Sequence, residues 1–198
     1  MFTGIIEVLG KVDHIEKEGT NVHFTISSPI SNELKIDQSV SHNGVCLTVV
    51  ELADGQHVVT AIEETLKRTS IGSLKVGDEI NIERAMSASA RFDGHFVQGH
   101  VDTTAKCVAV EVLEGSWYFS FQYHVKPEWL LVDKGSICIN GVSLTVVEPK
   151  NDAFSVAIIP YTYEHTVFKN LQVGDTVNLE FDMIGKYITK YMQLYQNK

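Results

Sequence analysis

Several things are scarce in this chain, and each scarcity removes a class of protein. Basic residues are outnumbered: 16 Lys and Arg stand against 25 Asp and Glu, a formal net charge of -9 over 198 residues. A surface of that sign has no general means of neutralising phosphates, so no nucleic-acid partner is expected. Apolar runs all fall short of the about 20 residues that span a bilayer, so no membrane partner is expected either. The opening MFTGIIEVLGKV has no basic stretch followed by an apolar one, and no secretory signal is read there. Cysteine is limited to Cys46, Cys107 and Cys138. An odd number without a CxxC pair suggests neither a disulfide framework nor a zinc site, and the expected setting is a reducing cytoplasm. Glycine-rich phosphate loops, dinucleotide fingerprints and GxSxG elbows are missing as well. No strong metal or phosphate motif appears.

What the chain has instead is a repeat. Residues 43–51 read NGVCLTVVE and residues 140–148 read NGVSLTVVE, an offset of 97. Held without a gap, that offset pairs Thr65 with Thr162, Thr69 with Thr166, and LKVGDEINIE with LQVGDTVNLE. Of the 41 aligned pairs from 43 to 83, 18 are identical, far above chance for unrelated segments. Upstream, Ser39 meets Ser136, and a two-residue slip then pairs Gly4 with Gly99 and Lys11 with Lys106. A duplication of nearly half the chain predicts two domains, 1–90 and 96–185, joined by the small and polar segment AMSASARFDG at 85–94.

Within each copy, short β-branched runs are punctuated by Asn-Gly, Asp-Gly and Val-Gly-Asp. That spacing predicts a small closed antiparallel barrel in each half, an all-β architecture. One short helical element is predicted at 63–71, with a counterpart at 160–168. The tail has no partner in the first copy. Ile184, Ile188, Tyr191, Met192 and Tyr195 recur at helical spacing, predicting an amphipathic helix over 186–198 that either docks on its own domain or joins subunits.

Candidate reactive residues stand where the repeat fails to repeat. Cys46 in the first copy is Ser143 in the second. Strand alternation puts Cys46 with Thr48, and Ser143 with Thr145, on one face. Small side chains packed inside a barrel explain that pattern by themselves. Polar residues at both positions of both copies count against an apolar interior. His100 stands where the first copy has Ile5, and imidazole is the natural base near neutral pH. His95 and His100 are five apart, which is not the spacing of a helical zinc site. By themselves, Asp182 reads as a solvated strand end and Lys134 as a surface charge.

MFTGI at the start, NGVCLTV paired with NGVSLTV, the segment GHVDTT and the two VGD…N(I/L)E endings together resemble the riboflavin synthase family of the α-chain type, over essentially the whole chain. The resemblance implies two tandem six-stranded Greek-key barrels and a homotrimer held by C-terminal helices. It implies a transferase that dismutates two molecules of 6,7-dimethyl-8-ribityllumazine with no metal and no redox cofactor. A four-carbon unit passes from one to the other, giving riboflavin and 5-amino-6-(D-ribitylamino)uracil. Association with lumazine synthase is a further implied partnership.

Carried over position by position, His100 becomes a proton-transfer residue, and Cys46, Thr48, Ser143 and Thr145 become ring contacts. Ser39, Asp182 and Phe2 become further site residues. Substrate-binding segments are implied at Gly4, Ile5 and Ile6, at Cys46, Leu47 and Thr48, and at Thr60, Ala61, Ile62, Glu63, Glu64 and Thr65 for the first barrel. For the second they are Gly99, His100 and Val101, Lys134, Ser143, Leu144 and Thr145, and Ile159, Pro160, Tyr161, Thr162, Tyr163 and Glu164. Asn140 departs from the Asp of some members, and Glu64 and Glu164 fall at non-equivalent repeat positions. A non-catalytic lumazine or flavin carrier on the same fold is the main alternative. A flavin-dependent oxidoreductase needs a nicotinamide-binding βαβ unit, which this chain does not show.

Overall fold

In the computed structural model, which describes residues 1–196, each copy of the repeat closes into its own antiparallel barrel. The first contains β1 (Val8–Glu18), β2 (Asn21–Ser27), β3 (Ser39–His42), β4 (Val45–Ala53), β5 (Gln56–Ala61) and β6 (Glu79–Arg84), in the order β1-β2-β5-β4-β3-β6. The second contains β7 (Thr103–Leu113), β8 (Ser116–Tyr123), β9 (Ser136–Ile139), β10 (Val142–Val147), β11 (Ala153–Ile158) and β12 (Thr176–Phe181) in the equivalent order. β6 returns beside β3 after the β3-β4-β5 meander, which is the Greek key. Even the irregularities are copied: β1 is bulged between Val12 and His14, and β7 between Cys107 and Ala109.

Period-two burial closes each barrel around its own core. Val45, Leu47 and Val49 of β4 point inward with Val59, Ala61, Ile80 and Ile82. The second core is aromatic, with Phe119, Phe121, Phe154, Phe168 and Phe181 all buried. The first core instead holds two buried imidazoles. His42 Nε2 lies 2.9 Å from His57 Nε2, and His57 Nδ1 lies 2.8 Å from the Ser31 hydroxyl.

The repeated short motifs are joints. Asn43 and Asn140 have φ of 46° and 47° in the two Asn-Gly turns, β3–β4 and β9–β10. These turns meet between the barrels. The Asn81 amide donates to the Asn140 carbonyl at 2.8 Å, and Asn178 donates to the Asn43 carbonyl at 2.8 Å. Their carbonyl oxygens accept from the Val167 and Ser70 N–H groups. Asn140 thus has a buried structural role, and its side-chain oxygen also accepts from Asn178 N.

The predicted helical elements are α1 (Glu63–Arg68) and α2 (Pro160–His165), each followed by a 3-10 turn, at Ser70–Ser73 and Val167–Asn170. The repeated threonines make the junctions. Thr69 and Thr166 each donate to a carbonyl four residues back and accept from an N–H two residues on. The tail is α3 (Met183–Gln196), started by Asp182, whose carboxylate accepts from Ile184 N. Residues 197–198 of the predicted tail lie outside the described residues.

Candidate active site

The outer faces of β4 and β10 carry the polar pairs. Cys46 and Ser143 are half-buried, and Thr48 and Thr145 are exposed, while Leu47 belongs to the barrel core. The polar pairs therefore face out of the barrels, and the reading that packs them inside is overturned. Charge and hydroxyl groups gain nothing in an interior already filled by apolar residues. Leu47 contributes to any surface pocket through its backbone.

Two extended segments, here called straps, run across these faces. Residues 2–6 precede the first barrel and residues 97–101 precede the second. Each strap docks on the other barrel. The Ser143 N–H donates to the Gly4 carbonyl at 2.7 Å, and the Cys46 N–H donates to the Gly99 carbonyl at 2.9 Å. Gly4–Ile6 therefore lies with Ser143, and Gly99–Val101 with Cys46, the reverse of the assignment by chain order. The cause is the crossing at Phe2 and Val97, which pair as an antiparallel bridge and send each strap to the opposite side.

The contact has no room for side chains. A Cβ on Gly4 would lie 2.6 Å from Ser143 Cβ, and one on Gly99 would lie 2.6 Å from Cys46 Cβ. Both glycines also have φ near +78°, at 78° and 77°. Phe2 is fully buried against Val97, Cys138 and Cys46, which packs the start of the first strap in place.

Buried carboxylates pin the straps. Glu83 of β6 accepts from Thr3 N, Thr3 Oγ1 and Gly4 N at 2.7, 2.7 and 3.0 Å. Glu180 of β12 accepts from Gln98 N at 2.6 Å and His100 N at 2.8 Å. Burial pushes both carboxyls up, Glu180 to about 7, against the lowering effect of these N–H groups.

His95 is the residue that sequence reasoning missed. Its Nδ1 lies 2.6 Å from Ser143 Oγ, and its N–H donates to the Thr3 carbonyl at 3.1 Å. Burial holds this imidazole below its ordinary value, while the Asp182 carboxylate draws it back up. A neutral ring at hydrogen-bond distance from a hydroxyl, with a carboxylate acting on it, is suited to proton transfer. Comparison of the two copies gave no signal for His95, because its place lies before the first copy begins.

The remaining predicted residues are spread around the two faces. Thr60 Oγ1 bonds His23 Nδ1 at 2.9 Å, and in α1 Thr65 follows the exposed Glu63 and Glu64, which pair with Lys67 and Arg68. Ile62 and Ile159 project into solvent at the starts of α1 and α2. Ala61 packs inward. Tyr163 stacks on Trp117 at 3.9 Å, whereas Tyr161 and Glu164 are exposed. Ser39 pairs with Thr48 across β3 and β4. Exposed Lys134 is tied to the Ser143 strand by its N–H on the Val146 carbonyl at 3.0 Å.

A cavity of about 600 Å³ opens beside His100 and Val101, bounded by Arg68, Lys126 and Lys186. Another, of about 500 Å³, opens beside Thr3 and Ile5. A third, of about 830 Å³, runs between the barrels near Asn43 and Asn140, away from every predicted site residue.

Comparison with known proteins fits this duplicated geometry. The lumazine binding domain model matches twice, at residues 3–85 and 98–182. The riboflavin synthase of Bacillus amyloliquefaciens is 40% identical over 193 residues, covering 97% of this chain and 90% of its own. That of Mycobacterium tuberculosis is 39% identical over 198 residues, covering 98% of both. Among solved structures, LumP complexed with riboflavin superposes with a TM-score of 0.85, at 22% identity, over 91% of this chain and 99% of LumP. LumP complexed with 6,7-dimethyl-8-(1'-D-ribityl) lumazine gives a TM-score of 0.83.

Proposed function

Since the chain belongs to the lumazine-binding domain family, among the riboflavin synthases, we propose that it dismutates two molecules of 6,7-dimethyl-8-ribityllumazine into riboflavin and 5-amino-6-(D-ribitylamino)uracil. The observation that carries this reading is the pair of crossed surfaces. Each has the same frame, a strand face under the other copy's strap, and each holds a different reactive side chain, Cys46 or Ser143. A reaction between two identical substrates needs two similar pockets that hold them unequally.

The first pocket consists of Cys46, Thr48, Thr60–Thr65 and Gly99–Val101. The second consists of Ser143, Thr145, Ile159–Glu164, Lys134 and Gly4–Ile6. Exposed strap amides and carbonyls read the pyrimidinedione edges, and hydroxyl and carboxylate side chains take the ribityl chains. The 7-methyl protons of the lumazine are acidic because the ring delocalises the resulting anion. His100 and the His95–Ser143 pair move protons, and strap N–H groups stabilise the developing charge. The two products together contain the atoms and electrons of two substrates, so the transfer balances without an oxidant.

Both faces are open in a single chain, which suits a reaction chamber between subunits. The first barrel of one subunit then faces the second barrel of its neighbour in a homotrimer held by α3. Two substrates held face to face gain on the order of several kcal/mol from proximity. The free thiols suit a cytoplasmic enzyme, with lumazine synthase, the source of its substrate, as a partner.

Purified protein mixed with the lumazine tests the reading by fluorescence and chromatography. Expected is one riboflavin formed for every two lumazines consumed. Tight binding of one ligand per chain without riboflavin would establish instead a carrier on this fold.

A further inference from the structure

Two buried carboxylates, neither assigned to a pocket, govern where the straps lie. Glu180 and Glu83 occupy equivalent positions in the repeat and are 2% and 4% exposed. Each spends both of its oxygens on backbone N–H groups of a strap. In the second strap, Glu180 holds the N–H groups of Gln98 and His100, one on each oxygen. The residue between them, Gly99, points its carbonyl the opposite way, to the N–H of Cys46. The short segment 98–100 is therefore gripped from two sides, by the second barrel through a side chain and by the first through its β4 backbone.

A carboxylate is expensive to bury, and one that only filled space would be replaced at lower cost by an apolar residue. A carboxylate is also the side chain that presents two acceptors, one to each of two N–H groups on one strand edge. Lys186 does not account for its placement, because that ammonium bonds Asp102 at 2.7 and 2.8 Å.

We propose that Glu180, although it belongs to the second barrel, is a positioning residue that aims the His100 segment into the first-barrel pocket. Glu83 has the corresponding task for residues 2–5 over Ser143. The inference rests on the proposed reaction only for its activity measurement, since the grip on segment 98–100 exists without it.

The test is Glu180→Gln, an isosteric change that keeps one acceptor and turns an N–H donor toward the other strap amide. Cys46 alkylation by iodoacetamide, followed peptide by peptide, reports on the strap. Cys107, buried in the second core, is the internal reference for global loosening. Loss of one charge-assisted bond of this kind is expected to speed Cys46 alkylation about tenfold, with Cys107 unchanged. In riboflavin formation, kcat is expected to fall about tenfold with KM little changed, because the strap carries His100.

Unchanged alkylation of Cys46, or equal acceleration at Cys46 and Cys107, would overturn the proposal. So would a loss confined to KM. Faster Cys46 alkylation in a variant whose parent forms no riboflavin supports the positioning role and removes the proposed function instead. Should the Gln variant not fold, Glu180→Asp keeps the charge but falls short of two N–H groups, and the same selective gain at Cys46 is expected.

Discussion

His100 and His95 reach the two faces by different routes, and the difference sets what their replacement does. His100 sits on a strap with its ring exposed and only its backbone fixed, by Glu180. His95 is buried and its ring is fixed directly, by Ser143. In the proposed reaction, His100→Gln removes a proton carrier without disturbing packing. Turnover is expected to fall about 100-fold or more, with riboflavin affinity nearly retained. Steady-state kinetics beside a fluorescence titration measures both quantities, and equal losses in rate and binding would remove the proton-transfer role. His100 was legible in the sequence because its repeat partner is Ile5, an unreactive residue. His95 was not, because its setting depends on two groups distant in sequence: Ser143, which it meets, is 48 residues away, and Asp182 acts on it through charge from beyond β12.

At the scale of elements, the repeat made the strands, Asn-Gly turns and short helices readable, since each depends on local residue choice. It could not reveal the crossing of the straps. Gly4 precedes β1 and naturally reads as part of the first barrel, yet its carbonyl serves β10. It could not reveal the buried pair either, since His42 and His57 sit in strands whose alternation would accept any inward residue. Their partners in the repeat are Ile139 and Phe154. His42 Nδ1 faces the Val40 carbonyl at 3.1 Å, so that nitrogen carries the proton and His42 Nε2 must accept. His57 then donates from Nε2 and accepts the Ser31 hydroxyl on Nδ1. A further proton breaks this chain.

Burial depresses the two rings from 6.5 to about 3 for His42, with the neighbouring His57 adding to the effect, and to about 4 for His57. Both folded values lie below the unfolded one. The unfolded chain therefore takes up the extra protons first, and stability is lost as pH falls from 6.5 toward about 4. Two such groups at pH 5 cost about 4 kcal/mol together. Glu180, raised to about 7, and Glu83, also raised, take up protons in the folded state over the same range and offset part of that loss, so the parent should show only the remainder in thermal unfolding between pH 7 and pH 5. The histidine contribution should be removed by His42→Ile with His57→Phe, which installs the second barrel's own residues and should leave the variant with the shallower acid loss. An equally steep acid loss in the double variant would place its origin elsewhere.

For the whole molecule, the unrepeated tail matters most. α3 is tied to its own barrel on one side, where Lys186 meets Asp102 and Gly185 approaches Leu130. Its other side presents Ile184, Tyr187, Ile188, Tyr191 and Met192 to solvent in the single chain. A contiguous apolar stripe of this kind is what an interface buries, and in the proposed trimer a neighbour would cover the two open faces. Assembly and activity are thus predicted to fail together. Ile188 and Met192 are 51% and 53% exposed, so Ile188→Lys with Met192→Lys disturbs little packing within the chain. With the proposed trimeric chamber, sedimentation should shift from trimer to monomer with the parent's thermal midpoint nearly kept, and riboflavin formation should collapse, because each reacting pair would take one pocket from each of two subunits. A fully active monomer would mean that the two crossed surfaces of one chain suffice, and the subunit-interface chamber would have to be abandoned.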